Sequence, residues 1–389
     1  MSAAIEHGRE LFDGGPPRRL QRSLGLIKPD DPRIARRAEL AVLVGWAPLV
    51  VLVIVEEVIM RNNVAKSFFN DFAVHARFLV AVPLLILAEA DCSPRLGKVA
   101  RQFIDAGVIT TPERERFDAA IASTQRLLDS RLSEMVVVGL AYGLVLILLL
   151  NLPEGQFPAW QRSEGSYYPL ARWWHVLVSI PILFILALGW LWRLFLWWRF
   201  LWLTSRLDLR LIPGHPDLGG GLMFVGSALR GFWLLSFALG TIAAGSAANR
   251  IVHDGAPLNV LTNIAIGLAV LILILFVMPL FVFMDKLREA KRRGVFEYGG
   301  LANEVGRQFE RKWINRRSRI DEEALDVPDF SSTTDLFQIV ANVYEMKDIP
   351  LRLRSIVHLI VAALLPLVPV LLLVMPLREI LEDLAKLLL

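Results

Sequence analysis

The stretch HARFLVAVPLLILAE, residues 75–89, decides how the whole chain is read. Only Phe78 to Ala88 is free of charge, and at about 1.5 Å per residue that covers about 16 Å of a hydrocarbon layer about 30 Å thick. A helix crossing a bilayer here must carry His75 and Arg77 in one end and Glu89 in the other. A charge at mid-depth costs about 2.5–3.5 kcal/mol, so lipid on every side would penalise this helix. Other helices or a water-filled cavity must therefore surround it.

The rest of the chain supplies those helices. It has 389 residues, 55% of them hydrophobic, with a mean hydropathy of +0.50. Besides residues 72–90, six windows are apolar enough to span: 41–60, 135–153, 173–192, 222–245, 260–284 and 355–376. The expected fold is an all-α polytopic membrane bundle of about seven transmembrane helices with a helical cytoplasmic layer. Its parts are a polar N-terminal tail (1–40), a six-span core (41–284) with a cytoplasmic helical hairpin (91–134), a basic helical segment (285–352) and a C-terminal span with an amphipathic tail (353–389). The last window holds Pro366, Pro369 and Pro376, and re-entry is its alternative to spanning. The N-terminal region lacks a short apolar core followed by small residues, so no cleavable signal peptide is expected.

Charge sets the orientation. With the N-terminus inside, segments facing the cytoplasm hold 32 Lys and Arg against 7 on the other side. The expected location is a bacterial-type inner membrane with a cytoplasmic N-terminus. Aromatics agree: Tyr167, Tyr168, Trp173 and Trp174 mark one end of the fourth span. Trp190, Trp192, Trp197, Trp198 and Trp202, interleaved with Arg193, Arg199 and Arg206, mark the other. Rings and basic side chains at that level suit anionic headgroups, making the inner bilayer surface the expected partner. A pI near 9.3 does not indicate nucleic acid, because the base excess is spread beside apolar windows and the aromatic stretch is too apolar to stand in water.

Cytoplasmic helices are expected at 94–106, from Thr111 as cap onward with a continuation straight into the third span, at 296–314 and at 333–347. Residues 296–347 are the expected surface for a membrane or cytoplasmic protein partner, and a homo-oligomer is left open. Pro83, Pro181 and Pro279 stand 98 residues apart in three spans running the same way, either as an internal repeat or by coincidence.

Polar residues inside the windows are the candidate binding residues. Glu56 and Glu57 lie in the outer quarter of the first span, and an antiparallel hairpin places Arg77 near their depth, so an ion pair is expected there. Arg230, in the fifth span, is expected to reach inward, with Glu89 as its nearest acid. Gly240, Ala244 and Ala248 form a small-residue face that makes the fifth span central. These five charges, Arg230, Glu89, Arg77, Glu56 and Glu57, are the expected polar path.

IPGHPDLGGG, residues 212–221, is a separate candidate. Pro213–Gly214 makes a turn and Asp217 can cap the following helix. Three glycines weaken a helix start, yet bare N–H groups there could receive a phosphate. His215, Asp217, Gly219, Gly220 and Gly221, with Arg206 and Arg210 near in sequence, are thus the anion or headgroup candidates, against a plain structural turn. Histidines at 75, 175, 253 and 358 are scattered without metal-ligand spacing, so no metal or cofactor is expected. The single Cys92 excludes a disulfide framework within one chain and cysteine-based clusters. The function expected first is passage of a small solute or ion. The alternatives are a non-catalytic scaffold or assembly factor, and a lipid-headgroup binding or modifying protein. No Ser–His–Asp or cofactor motif supports an enzyme.

Overall fold

Long apolar runs in a hydrocarbon environment can pair their backbone N–H and C=O groups within a helix. The computed structural model describes residues 12, 14–17, 21–22, 34–60, 63–162, 169–314 and 329–374. Among these the regular elements are helical, with one isolated bridge between Ile109 and Leu209. In chain order the main helices are α1 (Ile34–Ile59), α2 (Phe72–Asp105), α3 (Arg114–Leu128), α4 (Arg131–Asn151), α5 (Leu170–Ser205), α6 (Met223–Asp254), α7 (Asn259–Ile314), α8 (Asp329–Glu345), α9 (Leu353–Leu364) and α10 (Leu367–Val374). Six of them, α1, α2, α4, α5, α6 and α7, are long and apolar enough to cross a bilayer. The seventh window is the pair α9–α10, bent by 44°, which makes seven if counted as one span. The chain is an all-α, multi-pass membrane protein.

Several helices run further than their apolar windows. Residues 94–105 continue α2 through Pro94, and 296–314 continue α7. The helix after residue 110 opens with a tight 3-10 turn, Thr111–Glu113, so Thr111 sits inside the turn instead of capping it. Nor does α3 enter the third span: the chain breaks at Asp129, and the Ser130 side chain caps α4 by accepting from Leu132 N–H at 3.2 Å. The tail before α1 contributes to the core, because Phe12 is buried edge-on against Trp197 and the Pro16 carbonyl lies over Gly189. Expectations for residues 1–11, Tyr167, Tyr168, the charged run 315–328 and the tail from 375 onward fall outside the described residues.

Enclosure differs sharply among the spans. Of the most apolar window of α6, 61% is buried, against 22% for α1 and α4, so α6 is the central helix. Its small residues are the reason. A Cβ on Gly240 would stand 1.9 Å from the Ala363 carbonyl oxygen of α9, and one on Gly245 2.5 Å from Ala76 of α2. α1 and α4 instead expose Val51, Ile54 and Val58, and Leu140, Ile147 and Leu150. α2 presents a narrow apolar strip, Leu79, Val80 and Leu87, and turns its charges toward α1, α5 and α6.

Proline explains the breaks. In α2, α5 and α7 a π turn ends just before Val82–Pro83, Ile180–Pro181 and Met278–Pro279. In each, the residue before proline donates to the carbonyl five back: Val82 to Arg77, Ile180 to His175, Met278 to Leu273. Proline cannot donate and its ring crowds the carbonyl four back, so the turn widens. What recurs at the 98-residue spacing is this local backbone geometry.

Gly240→Ala is expected to lower unfolding stability by about 3 kcal/mol or more, since the opposing atom is backbone. Gly267→Ala, where a Cβ meets nothing within 4 Å, is expected to be neutral or stabilising by up to about 1 kcal/mol. Thermal unfolding of the two purified variants in one detergent checks the difference.

Candidate anion-binding site

The connection from α5 to α6 is built by its own polar side chain. Asp217 Oδ1 accepts from Gly219 N–H at 2.8 Å and Gly221 N–H at 3.1 Å, and Oδ2 accepts from Met223 N–H at 3.1 Å. His215 Nδ1 lies 2.9 Å from Oδ1. Gly220 and Gly221 have φ of 63° and 90°, a region costly for other residues, and Leu218 enters it too at 58°. The loop is also clamped from outside: Lys347 N–H donates to the Leu218 carbonyl at 2.8 Å, and Ile339 crowds Gly214. Asp217 therefore caps the start of α6, as the sequence suggests. The phosphate nest does not follow, because the protein's own carboxylate occupies the N–H groups of Gly219 and Gly221. Burial alone would raise the Asp217 pKa; the three N–H groups and the His215 ring outweigh it and hold the carboxyl below its usual range.

Beside this loop lies a cavity of about 450 Å³. Arg210 enters it from the α5–α6 connection, Arg230 from the 3-10 opening of α6, and Arg352 from the turn before α9. Ser227 and Ser355 add hydroxyls, and Asp217 is the carboxylate on the wall among the described residues. None of the three arginines has an ion pair or side-chain hydrogen bond among the described residues. A second cavity of about 430 Å³ shares Arg230, Ser227 and Gln102 and adds Arg95 and Lys98, with Asp91 bound to Arg95 at 2.8 Å. The result is a basic, hydroxyl-bearing hollow where the helices emerge at the base-rich end of the bundle. Such a hollow can hold an oxyanion by charge-assisted hydrogen bonds.

The residues proposed from sequence divide accordingly. His215, Asp217, Gly220, Gly221, Arg210 and Arg230 share one cavity, but Gly219 turns toward Met223 and Arg206 stacks over the Trp202 ring at 4.7 Å instead of facing it. The five charges expected as a polar path do not line up. Glu56 accepts from the Leu170 and Ala171 N–H groups at the start of α5, and Glu57 from Ala65 N–H at 2.7 Å. Arg77 donates to Ser246 of α6 at 3.2 Å, so the expected pair with Glu56 or Glu57 does not form. Free N–H groups at a helix start claim Glu56 instead. Glu89 is held by Arg37 of α1 and Arg193 of α5, each at 2.8 Å, which leaves Arg230 to the basic cavity. Arg352 escaped sequence reading; its signal was a cation just before an apolar window at the same end as Arg210. Among the described residues there is no group of three or more His, Cys, Asp and Glu side chains that could hold a metal ion.

Fold and site together define a helical multi-pass membrane protein with an arginine-lined cavity at its base-rich end. No protein-family model matches the chain, and no curated protein and no solved structure is significantly similar to it.

Asp217 gives a pH signature. A depressed folded pKa contributes stability that is complete above the unfolded carboxylate value of about 3.9 and is lost as pH falls through the lower folded value. Asp217→Asn is expected to be less stable than wild type by about 1–2 kcal/mol at pH 7, with the gap closing below about pH 4. Thermal unfolding of both proteins across pH 3–7 measures it; a gap independent of pH would count against the charge as the cause.

Proposed function

We propose that the protein binds a phosphate-bearing anion, of the kind carried by lipid headgroups, at the cytoplasmic face of a bacterial-type inner membrane. The observation that carries this reading is the convergence of Arg210, Arg230 and Arg352, from three separate elements, on one cavity without carboxylate partners of their own among the described residues. Uncompensated like charges held together repel one another, an arrangement that an anion relieves. The excess of Lys and Arg on the same end supports a cytoplasmic orientation and a cytoplasmic N-terminus. Arg230 sits in the 3-10 opening of an apolar span, where a long guanidinium side chain can reach back toward headgroups, which supports the reading.

A second reading, passage of a small anion across the membrane, draws support from the broken α2, α5 and α7, since interrupted helices are a recurrent device of transporters. There the basic cavity is the entry site on one face.

Glycerol phosphate, inorganic phosphate and bilayer discs containing phosphatidylglycerol are the probes. Arg210→Gln, Arg230→Gln and Arg352→Gln are each expected to weaken binding about tenfold, and binding should fall with salt. Preference for the discs assigns a headgroup; preference for the soluble phosphates assigns a free anion, for which uptake into proteoliposomes should be lost in the same variants. Equal affinity in wild type and all three variants would overturn the site.

A further inference from the structure

A second cavity, of about 400 Å³, lies between α1 and α5 and shares no lining residue with the basic one. Its long walls are aliphatic: Leu40, Ala41 and Val44 of α1 face Ile182, Ile185 and Leu186 of α5. From Arg37 to Val44 the wall rises about 10 Å. Its polar end is formed by Gln21 and Arg37, which are 9% and 5% exposed. Both are incompletely satisfied: among the described residues Arg37 Nε and Gln21 Oε1 are buried with no hydrogen-bond partner. Leaving such groups unpaired costs about 1–3 kcal/mol each. In the adjoining ion triad two guanidinium groups, Arg37 and Arg193, share the single carboxylate of Glu89, which leaves one positive charge over.

An apolar slot that ends in a side-chain amide and an excess cation matches a particular chemistry. We propose that this cavity holds an acyl chain of an anionic phospholipid from the surrounding bilayer, its phosphate drawn to Arg37 at the end that Gln21 also lines. A peptide segment fits poorly, because its N–H and C=O groups would find no partners on aliphatic walls. Val44, 42% exposed on the rim, leaves the deep end of the slot open to the side of the bundle, where lipid chains stand. Chain burial contributes about 0.8 kcal/mol per methylene relative to water, but little relative to the bilayer. The selectivity must therefore come from the headgroup at Arg37 and Gln21.

The test uses the delipidated full chain in detergent, with Arg210→Gln, Arg230→Gln and Arg352→Gln combined to silence the basic cavity, titrated with phosphatidylglycerol or with phosphatidylcholine of identical chains, and native mass spectrometry to count retained lipid. One phosphatidylglycerol per chain is expected, retained at least tenfold better than phosphatidylcholine. Ala41→Trp, which fills the slot, should abolish retention; if that variant does not fold, Ile182→Phe serves the same end. Gln21→Leu should narrow the preference between the two lipids severalfold while leaving the slot open. Excess inorganic phosphate, which competes at the basic cavity, should displace nothing. Equal retention of the two lipids, undiminished retention in the slot-filling variant, or displacement by phosphate would each overturn the proposal.

Discussion

The bundle depends on how Glu89 is neutralised. A carboxylate within a membrane-crossing helix has no water to turn to, and its solvation must come from protein. Arg37 of α1 and Arg193 of α5 supply it from two sides at 2.8 Å, so one side chain fixes three helices against one another at a shared depth. The tie reaches further. Arg193 Nε donates to the Gly14 carbonyl, and Ser93 donates to the carbonyl of Phe12, so the chain before α1 is drawn onto the same spot. Removing one partner of a buried ion pair costs about 3–5 kcal/mol, because the charge left behind has lost its solvation. That asymmetry makes the triad a fastener for α1, α2 and α5, and it also uses up the acid that Arg230 would otherwise meet.

Charges in this protein accordingly fall into two groups. Those away from the base-rich end are consumed by structure: Glu56 and Glu57 cap backbone, Arg77 bonds Ser246, and Asp71 accepts from Trp160 at 2.9 Å and Asn249 at 2.7 Å. At the base-rich end Arg95 and Arg288 pair with Asp91 and Asp348, and the three arginines of the cavity are left in surplus. Arg210, Arg230 and Arg352 face a common space whose wall carboxylate among the described residues, Asp217, is already bound to three N–H groups. A fold that spends its acids on internal bonds, and leaves cations lining a cavity, is electrostatically prepared for an anion. The charge ledger, more than any single residue, supports the functional reading.

Some of this was legible in the chain itself. Apolar windows report the hydrophobic requirement directly, and the small face of α6 announces close approach before any partner is known. Asp217 reads as a cap because the interaction is local, four to six residues long at most. The partners of Arg77, Glu89 and Arg230 were not legible. Sequence fixes the depth of a residue along its helix but not the rotation of that helix or the identity of its neighbours. Two helices can place charges at one level and still point them apart, which is what happens to Arg77 and Glu56. Arg37 was hidden for a related reason: it reads as one more cation of a polar tail, and only packing makes it a core residue. The three glycines were seen as surplus to a turn because positive φ at Gly220 and Gly221 depends on the loop's path over α7 and α8.

Proline then accounts for how the helices recognise one another where charge is absent. Each proline withholds the N–H owed to the carbonyl four residues earlier, and an unpaired carbonyl in hydrocarbon is expensive. Pro48 frees the carbonyl of Val44, and the Trp174 indole of α5 donates to it at 3.0 Å; beside it Ser179 donates to the Gly45 carbonyl at 2.7 Å. Pro181 frees the carbonyl of Leu177, and the Tyr142 hydroxyl of α4 donates to it at 3.3 Å. A break in one helix thus becomes a directional contact with the next. These bonds are specific in a way that aliphatic packing is not, since a donor must meet one atom at one height. They register α1 and α4, the least buried of the six long spans, on α5. The prolines are therefore part of the assembly code of the bundle, and the widened turns are the geometric consequence of using them.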